Sequence, residues 1–455
     1  MNIGRIIGGF SITDRILLFL VAMFFFILPI PHTVALRNLT LFMLLVVSLS
    51  QLVRQSAFSR FSPSIQWRRL VYVLAVLTAW LLFQASFIAI DSFWALGEVK
   101  GQWINSMIAF AVASFLGLYS LNRGMKFQQS LYVVLFLALF LHVVYVDVVA
   151  IGDYIRAGGG FARVSGLAEG PHQANYVTNM LFAFLVAEVI MRFRTGRHLL
   201  PVGQTTLVLF FLLTGLSFLF EGMRNGLMSV IAMLLVAVAL TSVDKENYNR
   251  RGKWVGLLLL MVSLVIFAGY SIKHDRRWSS LFDTIPIALD TENNNFWLNH
   301  KKYTPPVLPD GDVVNLSNYL RIAWAKEGIK MVIEHPLGVG YGRESFAQGL
   351  MPKYGERALL HSHSGLLEMA IGGGIPGFIL WLLFIMLLVI YSYRAFRRGI
   401  GFPASFALLY TGCFFARSIV DFNTKNHVLV TFFFLIGLMA MLILHEKKYS
   451  ISSAS

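Results

Sequence analysis

The sequence predicts an all-α polytopic membrane protein, a bundle of about twelve transmembrane helices. Of its 455 residues, 57% are hydrophobic and only 13% are charged, and the mean hydropathy is +0.67. A soluble domain carries about a quarter charged residues, so this composition excludes one. Apolar runs of roughly 20 residues, the length that crosses a bilayer, recur along the chain and support the same fold class.

The apolar runs divide the chain into three parts. We expect transmembrane helices 1–9 within residues 1–272, a large loop at 273–362, and helices 10–12 within 363–455. No small-residue cleavage site follows the first run, so we expect a retained anchor rather than a cleaved signal peptide. The predicted spans are 13–32, 35–53, 70–90, 103–121, 129–150, 175–193, 202–220, 224–243, 254–272, 375–393, 402–420 and 428–445.

The basic residues predict the orientation in the membrane. Turns rich in Lys and Arg, such as "RQSAFSRFSPSIQWRR", alternate with turns poor in them, such as "DFNTKN". By the positive-inside rule, the basic turns and both termini face the cytoplasm, and the large loop lies on the opposite side. The formal net charge of +15 therefore indicates orientation rather than nucleic-acid binding. The single cysteine, Cys413, excludes an intramolecular disulfide.

The large loop is expected to contain one amphipathic helix. Ser317 is a suitable N-cap, and Pro336 and Gly338 would end the helix. We expect this helix to lie along the membrane surface or to pack on the bundle, and the Asn- and Pro-rich stretch 283–315 before it to form a mobile flap. The apolar face of the helix would consist of Ile322, Ala325, Ile329, Val332 and Ile333.

Arginines and histidines collect on the side of the large loop, where the positive-inside rule disfavours arginine. Guanidinium groups bind phosphate oxygens in a bidentate fork, and a neighbouring imidazole can exchange a proton near neutral pH. Because this side has no ATP, a substrate must arrive already activated, most simply as a polyprenyl pyrophosphate-linked sugar. The residues in question are Arg163, Arg224, Arg276, Arg277, Arg321, His361, His363 and Arg417.

Several of these residues can also be interpreted as structural rather than as part of a phosphate-binding site. The alternative for His363 is a helix cap or an interfacial side chain, and the alternative for Arg224 is an anchor for lipid headgroups. Arg277 could be a simple loop flank and Arg321 part of a solvated helix face. We expect His361 to be structural.

Three further features have a structural interpretation. Arg417 can pair with Asp421 at i+4, and Glu368 can pair with an arginine near it. A metal bound by the two histidines is disfavoured, because no carboxylate or cysteine stands at ligand spacing. "GVGYG" at 338–342 indicates a turn rather than a nucleotide loop. Glycines at 365, 372, 373, 374 and 377 indicate close helix packing or a helix broken within the membrane.

Five blocks of this sequence resemble, in the same order, the O-antigen ligase and O-antigen polymerase superfamily of bacterial envelope glycosyltransferases. The sharpest is His363-Ser364, followed after nine residues by Gly374 and then by Gly377. The loop "EGPHQAN" departs from the family pattern, which more often has Asp-Pro or Asn-Pro ahead of the Asn, and this weakens any role for the loop. The other blocks are Arg163 to Gly166 followed by Asn175, Arg224 in "GMRNG", Arg277 before Trp278, and Arg321 with Trp324 and "HPLGVG" up to Gly340.

The resemblance implies a GT-C-like bundle and a metal-independent, inverting glycosyl transfer that uses no cofactor. It implies that His363 activates the acceptor hydroxyl as general base. Arg224 and Arg277 would hold the donor pyrophosphate and stabilise its charge as it leaves. Arg321 and Arg163 would support the donor or order the loop.

The resemblance also implies a place and a reaction. We expect an O-antigen ligase of the bacterial inner membrane, with its site facing the periplasm. It would transfer an undecaprenyl pyrophosphate-linked glycan to a lipid A-core sugar in lipopolysaccharide biosynthesis. The alternative is a polymerase whose acceptor is a lipid-linked repeat unit, and a protein-glycosylating relative is a third option. A transporter that flips the lipid carrier is disfavoured, because the mid-span stretches are nearly free of charge and no internal repeat is visible.

Overall fold

The computed structural model describes residues 9–57, 61–159, 163–243, 280–355 and 361–452. The ninth predicted span, 254–272, and the predicted site residues Arg276 and Arg277 lie outside these ranges. Within them the regular elements are helices, and one isolated antiparallel bridge joins Val307 to Val313.

The helices follow the apolar runs of the sequence. In chain order they are α1 (Ile12–Ile27), α2 (Val34–Arg54), α3 (Ile65–Phe87), α4 (Ser92–Glu98), a π-helical turn (Val99–Ile104), α5 (Asn105–Arg123), α6 (Met125–Arg156), α7 (Pro171–Thr195), α8 (Gln204–Glu221), α9 (Arg224–Val243), α10 (Leu281–Leu289), a 3-10 turn (Asn295–Trp297), α11 (Leu316–Glu334), α12 (Ser345–Tyr354), α13 (Gly365–Arg397), α14 (Phe402–Val420) and α15 (Asn426–Ser452).

Ten helical stretches of the described chain are long and apolar enough to cross a membrane. This finding confirms the predicted all-α polytopic membrane fold. The first predicted span, 13–32, corresponds to α1, which has only 16 residues. The tenth, 375–393, is longer than predicted, because the glycine-rich stretch ahead of it also joins α13.

The core contact between α5 and α15 depends on glycine. Cβ atoms added at Gly117 of α5 and Gly437 of α15 would lie 2.8 Å from Met441 Cβ and 2.6 Å from the Phe110 carbonyl oxygen. In a bilayer, helices associate through close packing rather than through exclusion of water, so small residues are favoured where backbones approach. These glycines therefore allow α5 and α15 to form a close central pair.

The described part of the large loop, residues 280–355, folds into a small packed unit rather than an open flap. The indole N–H of Trp324 donates to the Trp297 carbonyl at 2.9 Å, and that of Trp297 donates to the Thr291 carbonyl at 3.0 Å. Both indole side chains are buried, together with Phe296. Part of the stretch predicted to be a mobile flap is thus packed against α11 in the structure.

Two details of α11 correct the sequence-based expectation. The N-cap is Asn315, whose side chain accepts a hydrogen bond from Asn318 N at 3.2 Å, and not Ser317. Asn is as good an N-cap as Ser, so the local signal does not distinguish them. Of the predicted apolar face, Ile329 and Ile333 do not pack on the bundle, since they are 58% and 74% exposed.

The buried face of α11 is set by its aromatic residues and by a glycine. Tyr319 and Trp324 bury their large rings, and a Cβ at Gly328 would lie 2.5 Å from Leu367 of α13. The larger contact area of the aromatic rings outweighs the isoleucine spacing. Helix α11 thus packs on the bundle, which was one of the two positions expected from the sequence; the other was the membrane surface.

Helix α13 is broken, and the loop after α11 fills the break. Gly374 has φ of 68° and ψ of −179°, which is outside helical geometry. The amide of Val339 donates to the Ile371 carbonyl at 3.0 Å, and the amide of Gly340 donates to the Gly372 carbonyl at 3.2 Å. A break at membrane depth is tolerated when protein groups satisfy its polar atoms. Both predicted roles of the glycines, close packing and a broken helix, are therefore present.

Several turns gather around the large loop and form what we call the site end of the bundle. Ile90 N, in the turn before α4, donates to the Val339 carbonyl at 3.0 Å. The Arg343 side chain makes an ion pair of 2.6 Å with Glu98 of α4. The Tyr341 hydroxyl lies 3.5 Å from the Thr424 carbonyl, in the turn between α14 and α15. Among the predicted site residues that the structure describes, Arg163, Arg224, Arg321 and His363 lie at this end.

Candidate functional site

His363 lies in the short turn that leads into α13, in a backbone conformation that favours glycine. Its φ is 59°, and a non-glycine residue in this region costs of order 1–3 kcal/mol unless the surroundings impose it. The next residue, Ser364, caps α13 by accepting a hydrogen bond from Leu367 N at 3.3 Å. The capping role considered for His363 thus belongs to Ser364.

Hydrogen bonds on both sides impose the conformation of this turn. Glu368 accepts hydrogen bonds from the amides of Ser362 and Phe346, at 2.5 and 3.4 Å. These backbone donors take the place of the arginine partner expected for Glu368. Gly365 N donates to the Asp421 carbonyl at 3.0 Å.

The ring of His363 belongs to a row of four aromatic rings. It stacks on Trp324, with centroids 5.0 Å apart and an interplanar angle of 7°. On its other side it meets His361 at 4.3 Å, and His361 meets Phe422 at 5.2 Å. The row joins the large loop to the turn between α14 and α15, and it holds the imidazole of His363 in a fixed plane.

Both histidines are shifted toward the neutral form. Burial, and after it the charge of Arg321, lowers the pKa of His363 to about 4. Burial, and after it the charge of Lys425, lowers the pKa of His361 to about 3. His361 Nδ1 also accepts the His363 backbone N–H at 3.3 Å. A neutral imidazole in a fixed plane can accept a proton from a hydroxyl group.

The structure brings Arg163 and Arg224 to one turn. The amide of Val164 donates to the Phe220 carbonyl at 3.1 Å, which places Arg163 beside the end of α8. The Arg163 side chain lies 3.3 Å from the position that a Cβ on Gly222 would take. Arg224 follows Gly222 by two residues and opens α9. The predicted partner Arg277 lies outside the described residues.

A buried polar network connects this turn to the entrance of α13. Arg417 Nη1 donates to Asn175 Oδ1 at 2.7 Å, and Asn175 Nδ2 donates to Glu221 Oε2 at 2.6 Å. Arg417 also forms the predicted i+4 ion pair with Asp421, at 3.0 Å. Each buried charge of the network thus has a partner, as buried charges require.

Asp421 links the two halves of the site. Its carboxylate is hydrogen-bonded by Asn225, the residue after Arg224, while its carbonyl binds the amide of Gly365, two residues after His363. Burial raises the pKa of Asp421, but the charge and hydrogen bond of Arg417 and the hydrogen bonds of Tyr176 and Asn225 together hold the pKa below its ordinary value. The histidine turn and the arginine turn therefore share one anchoring residue.

The sequence reasoning missed two residues of this region. His172 and Lys425 both lie close enough to influence the charge of His361 and His363. The His172 carbonyl accepts Arg417 Nη2 at 3.3 Å, so the loop "EGPHQAN" belongs to the site end despite its departure from the family pattern. The one available signal was that both residues are polar and lie in turns of the side that bears the arginines. Within the described chain, no group of three His, Cys, Asp or Glu side chains could hold a metal ion.

The arrangement combines a fixed neutral base with cations on one end of a membrane bundle, which suits transfer to a hydroxyl with an anionic leaving group. Comparison with known proteins agrees. Residues 209–382 match the family model described as O-antigen ligase, and the match confirms the resemblance that the sequence motifs indicated. The matched range contains Arg224, Arg321 and His363. No curated protein matches the chain.

Proposed function

We propose that this chain is an O-antigen ligase. Residues 209–382 match the O-antigen ligase family model, which belongs to the superfamily of O-antigen ligases and polymerases. The chain would transfer a glycan from undecaprenyl pyrophosphate to a sugar of the lipid A core. The observation that carries the proposal is the geometry of His363, which is half-buried and stacked on Trp324, with Arg321 beside it and Asp421 between it and the Arg224 turn.

The proposed reaction is a single inverting displacement. His363 takes the proton of the acceptor hydroxyl as the hydroxyl oxygen attacks the anomeric carbon of the donor. The new glycosidic bond forms as the bond from that carbon to the pyrophosphate oxygen breaks, and undecaprenyl pyrophosphate leaves with the electron pair. Burial lowers the pKa of His363, so the imidazole is unprotonated at neutral pH and can accept a proton.

The arginines would stabilise the leaving group. Negative charge grows on the pyrophosphate during bond breaking, and a fixed cation placed there lowers the barrier by roughly 3 kcal/mol. Arg224 is the first candidate, since it lies in a turn anchored by Asn175, Glu221 and Asp421. Arg163 and Arg321 would bind the donor from the two sides, and Arg277 keeps the role expected for it from the sequence.

We place the protein in the bacterial inner membrane with the site facing the periplasm. The positive-inside rule supports this orientation, because the short turns at the site end carry fewer Lys and Arg residues than the short turns at the opposite end. Such a site would draw on lipid-linked substrates already delivered to the outer leaflet, and it would need no nucleotide.

The test is a transfer assay with purified protein in detergent, donor, acceptor and no energy source. Wild-type protein should join the glycan to core lipid, and His363→Ala should lose nearly all transfer. His300→Ala is the control, since His300 is an exposed histidine of the large loop. Failure of the wild-type protein, or equal transfer by His363→Ala, would refute the proposal.

The acceptor distinguishes a ligase from the alternative polymerase. A strain that lacks a ligase accumulates long glycan on the lipid carrier, whereas a strain that lacks a polymerase makes lipopolysaccharide with a single repeat. We expect the first phenotype from deletion of this protein, and the second would reassign it as a polymerase.

A further inference from the structure

Lys425 is a cation of the site end to which neither the sequence motifs nor the proposed mechanism gives a role. It ends the turn between α14 and α15, and three hydrogen bonds hold this turn. Asn426 N donates to Gln102 Oε1 at 2.6 Å, Asn423 Nδ2 donates to the Phe414 carbonyl at 2.8 Å, and the Thr424 carbonyl accepts from Tyr341 at 3.5 Å. Lys425 is therefore presented by a fixed backbone.

The ammonium group of Lys425 lies at the end of the aromatic row. Its Nζ is 4.3 Å from the centroid of the Phe422 ring, and Phe422 contacts His361. Arg321 lies near the opposite end of the row, beside His363 and one helical turn before Trp324. A cation thus stands at each end of the row, with two neutral histidines between them.

Lys425 is partly buried without an ion pair to compensate. Among the residues that the structure describes, no carboxylate lies within 4.0 Å of its Nζ. Burial lowers the pKa of Lys425, although Glu368 and Asp421 act in the opposite direction. A cation that has lost water without gaining an anionic partner is stabilised by an anionic ligand.

We propose that Lys425 binds a phosphate group of a lipid-linked substrate, as a second cationic contact across the aromatic row from Arg321. This inference rests on the proposed glycosyl transfer. A lysine binds phosphate as a point charge, whereas arginine binds it as a fork, so Lys425 can follow a ligand whose orientation changes during the reaction. The phosphate belongs either to the pyrophosphate of the donor or to a phosphorylated sugar of the acceptor lipid.

The first test measures the reactivity of Lys425 in the intact wild-type protein. Purified protein is treated with an amine-acetylating reagent, and acetylation of each lysine is followed by mass spectrometry. Lys353 is the internal reference, because it lies on the large loop, pairs with Glu334 at 3.4 Å and is 45% exposed. At ten times the Kd of a bound lipid, acetylation of Lys425 should slow about tenfold while that of Lys353 stays unchanged.

The added lipids identify the source of the phosphate. Protection by a polyprenyl pyrophosphate alone assigns Lys425 to the donor. Protection by phosphorylated core lipid, but not by its dephosphorylated form, assigns it to the acceptor. Equal acetylation with and without both lipids overturns the inference. So does a Lys425 that fails to react in the lipid-free protein, because a phosphate-binding amine must be open in the empty site.

The second test is kinetic and separates this inference from the proposed function. Lys425→Gln should raise the KM of one substrate about tenfold, and Lys425→Arg should restore most of the loss, since it keeps the charge. Lys353→Gln should behave as wild type. If Lys425→Gln has unchanged KM values while wild-type protein transfers glycan, the inference fails and the proposed function stands. If wild-type protein transfers nothing, the proposed function itself fails.

Discussion

At the scale of the residue, His363 combines an unfavourable backbone conformation with a fixed ring. The positive φ is imposed by the bonds of Ser362, Ser364 and Gly365 on either side, and the ring is stacked on Trp324. Strain of this kind persists where the surrounding structure over-determines it, and it commonly marks functional sites. In the proposed mechanism, this turn is therefore preorganised for proton transfer.

The pH dependence of transfer should reflect the low pKa of His363. Only the unprotonated imidazole accepts a proton, and its pKa is lowered to about 4. Single-turnover transfer should therefore be independent of His363 titration between pH 6 and 8, and it should fall as the pH drops through about 4. In Arg321→Gln the apparent pKa should rise, because a nearby positive charge is removed. A wild-type profile with an apparent pKa near 6.5 would contradict the buried environment described for the ring.

Arg224 should be sensitive even to a change that keeps its charge. Arg224→Lys loses the bidentate fork, so we expect transfer to fall about a hundredfold. Arg156→Lys is the matched control, because Arg156 is an exposed arginine at the same end, with 83% of its side chain accessible. Activity of Arg224→Lys equal to that of the control would place Arg224 outside the site.

At the scale of the element, the large loop is fastened to α4 by the pair Arg343–Glu98. Glu98 accepts from the Arg343 backbone N–H at 2.9 Å and from its guanidinium Nη2 at 2.6 Å. The two partners differ in exposure: 9% of the Glu98 side chain is accessible, against 49% of that of Arg343. The loss of Arg343 and the loss of Glu98 should therefore lower the free energy of unfolding by different amounts.

The loss of Arg343 should destabilise the protein more than the loss of Glu98. Arg343→Met leaves a buried carboxylate without its partner, which should lower the free energy of unfolding by about 3 kcal/mol. Glu98→Gln leaves a guanidinium that reaches water, so its cost should be below about 1 kcal/mol. Unfolding in detergent, followed by intrinsic tryptophan fluorescence, compares the two variants. An equal or reversed order would show that the pair is not desolvated as the structure indicates.

The elements themselves could largely be predicted from the sequence, but their faces could not. Hydropathy located the described spans because each must present apolar side chains over a fixed length. The glycines around Gly374 also indicated the break in α13. Ile329 and Ile333 have the spacing of one helix face, but the face of α11 that packs on the bundle carries Tyr319 and Trp324, whose partners come from distant parts of the chain.

At the scale of the whole molecule, the site depends on contacts that no local pattern contains. Asn175 and Arg417 are 242 residues apart in sequence and hydrogen-bonded in space. The sequence indicated that arginines and a histidine share one side, and motif order matched Asn175 to the family. It gave no sign of Glu221 as a partner of Asn175, or of Lys425 at the end of the aromatic row, because both depend on how the helices pack.

The orientation of the whole bundle can be tested with introduced cysteines. The native Cys413 is buried in α14, so it should stay silent toward a membrane-impermeant maleimide. Asn293→Cys, in the large loop, should be labelled in intact spheroplasts. His198→Cys, in a turn predicted to be cytoplasmic, should be labelled only after permeabilisation. The reverse pattern would place the site end in the cytoplasm and would exclude a periplasmic reaction.

The central claim is that one pocket at the site end holds a diphosphate between arginines and a histidine. The most direct measurement is a cryo-EM structure of the protein with a polyprenyl pyrophosphate-linked sugar bound. We expect the diphosphate within hydrogen-bond distance of Arg224 and at least one other arginine of the site, with the His363 imidazole facing the anomeric carbon of the sugar from the side opposite to the diphosphate. A diphosphate bound away from Arg224, or a His363 ring out of reach of that carbon, would contradict the account.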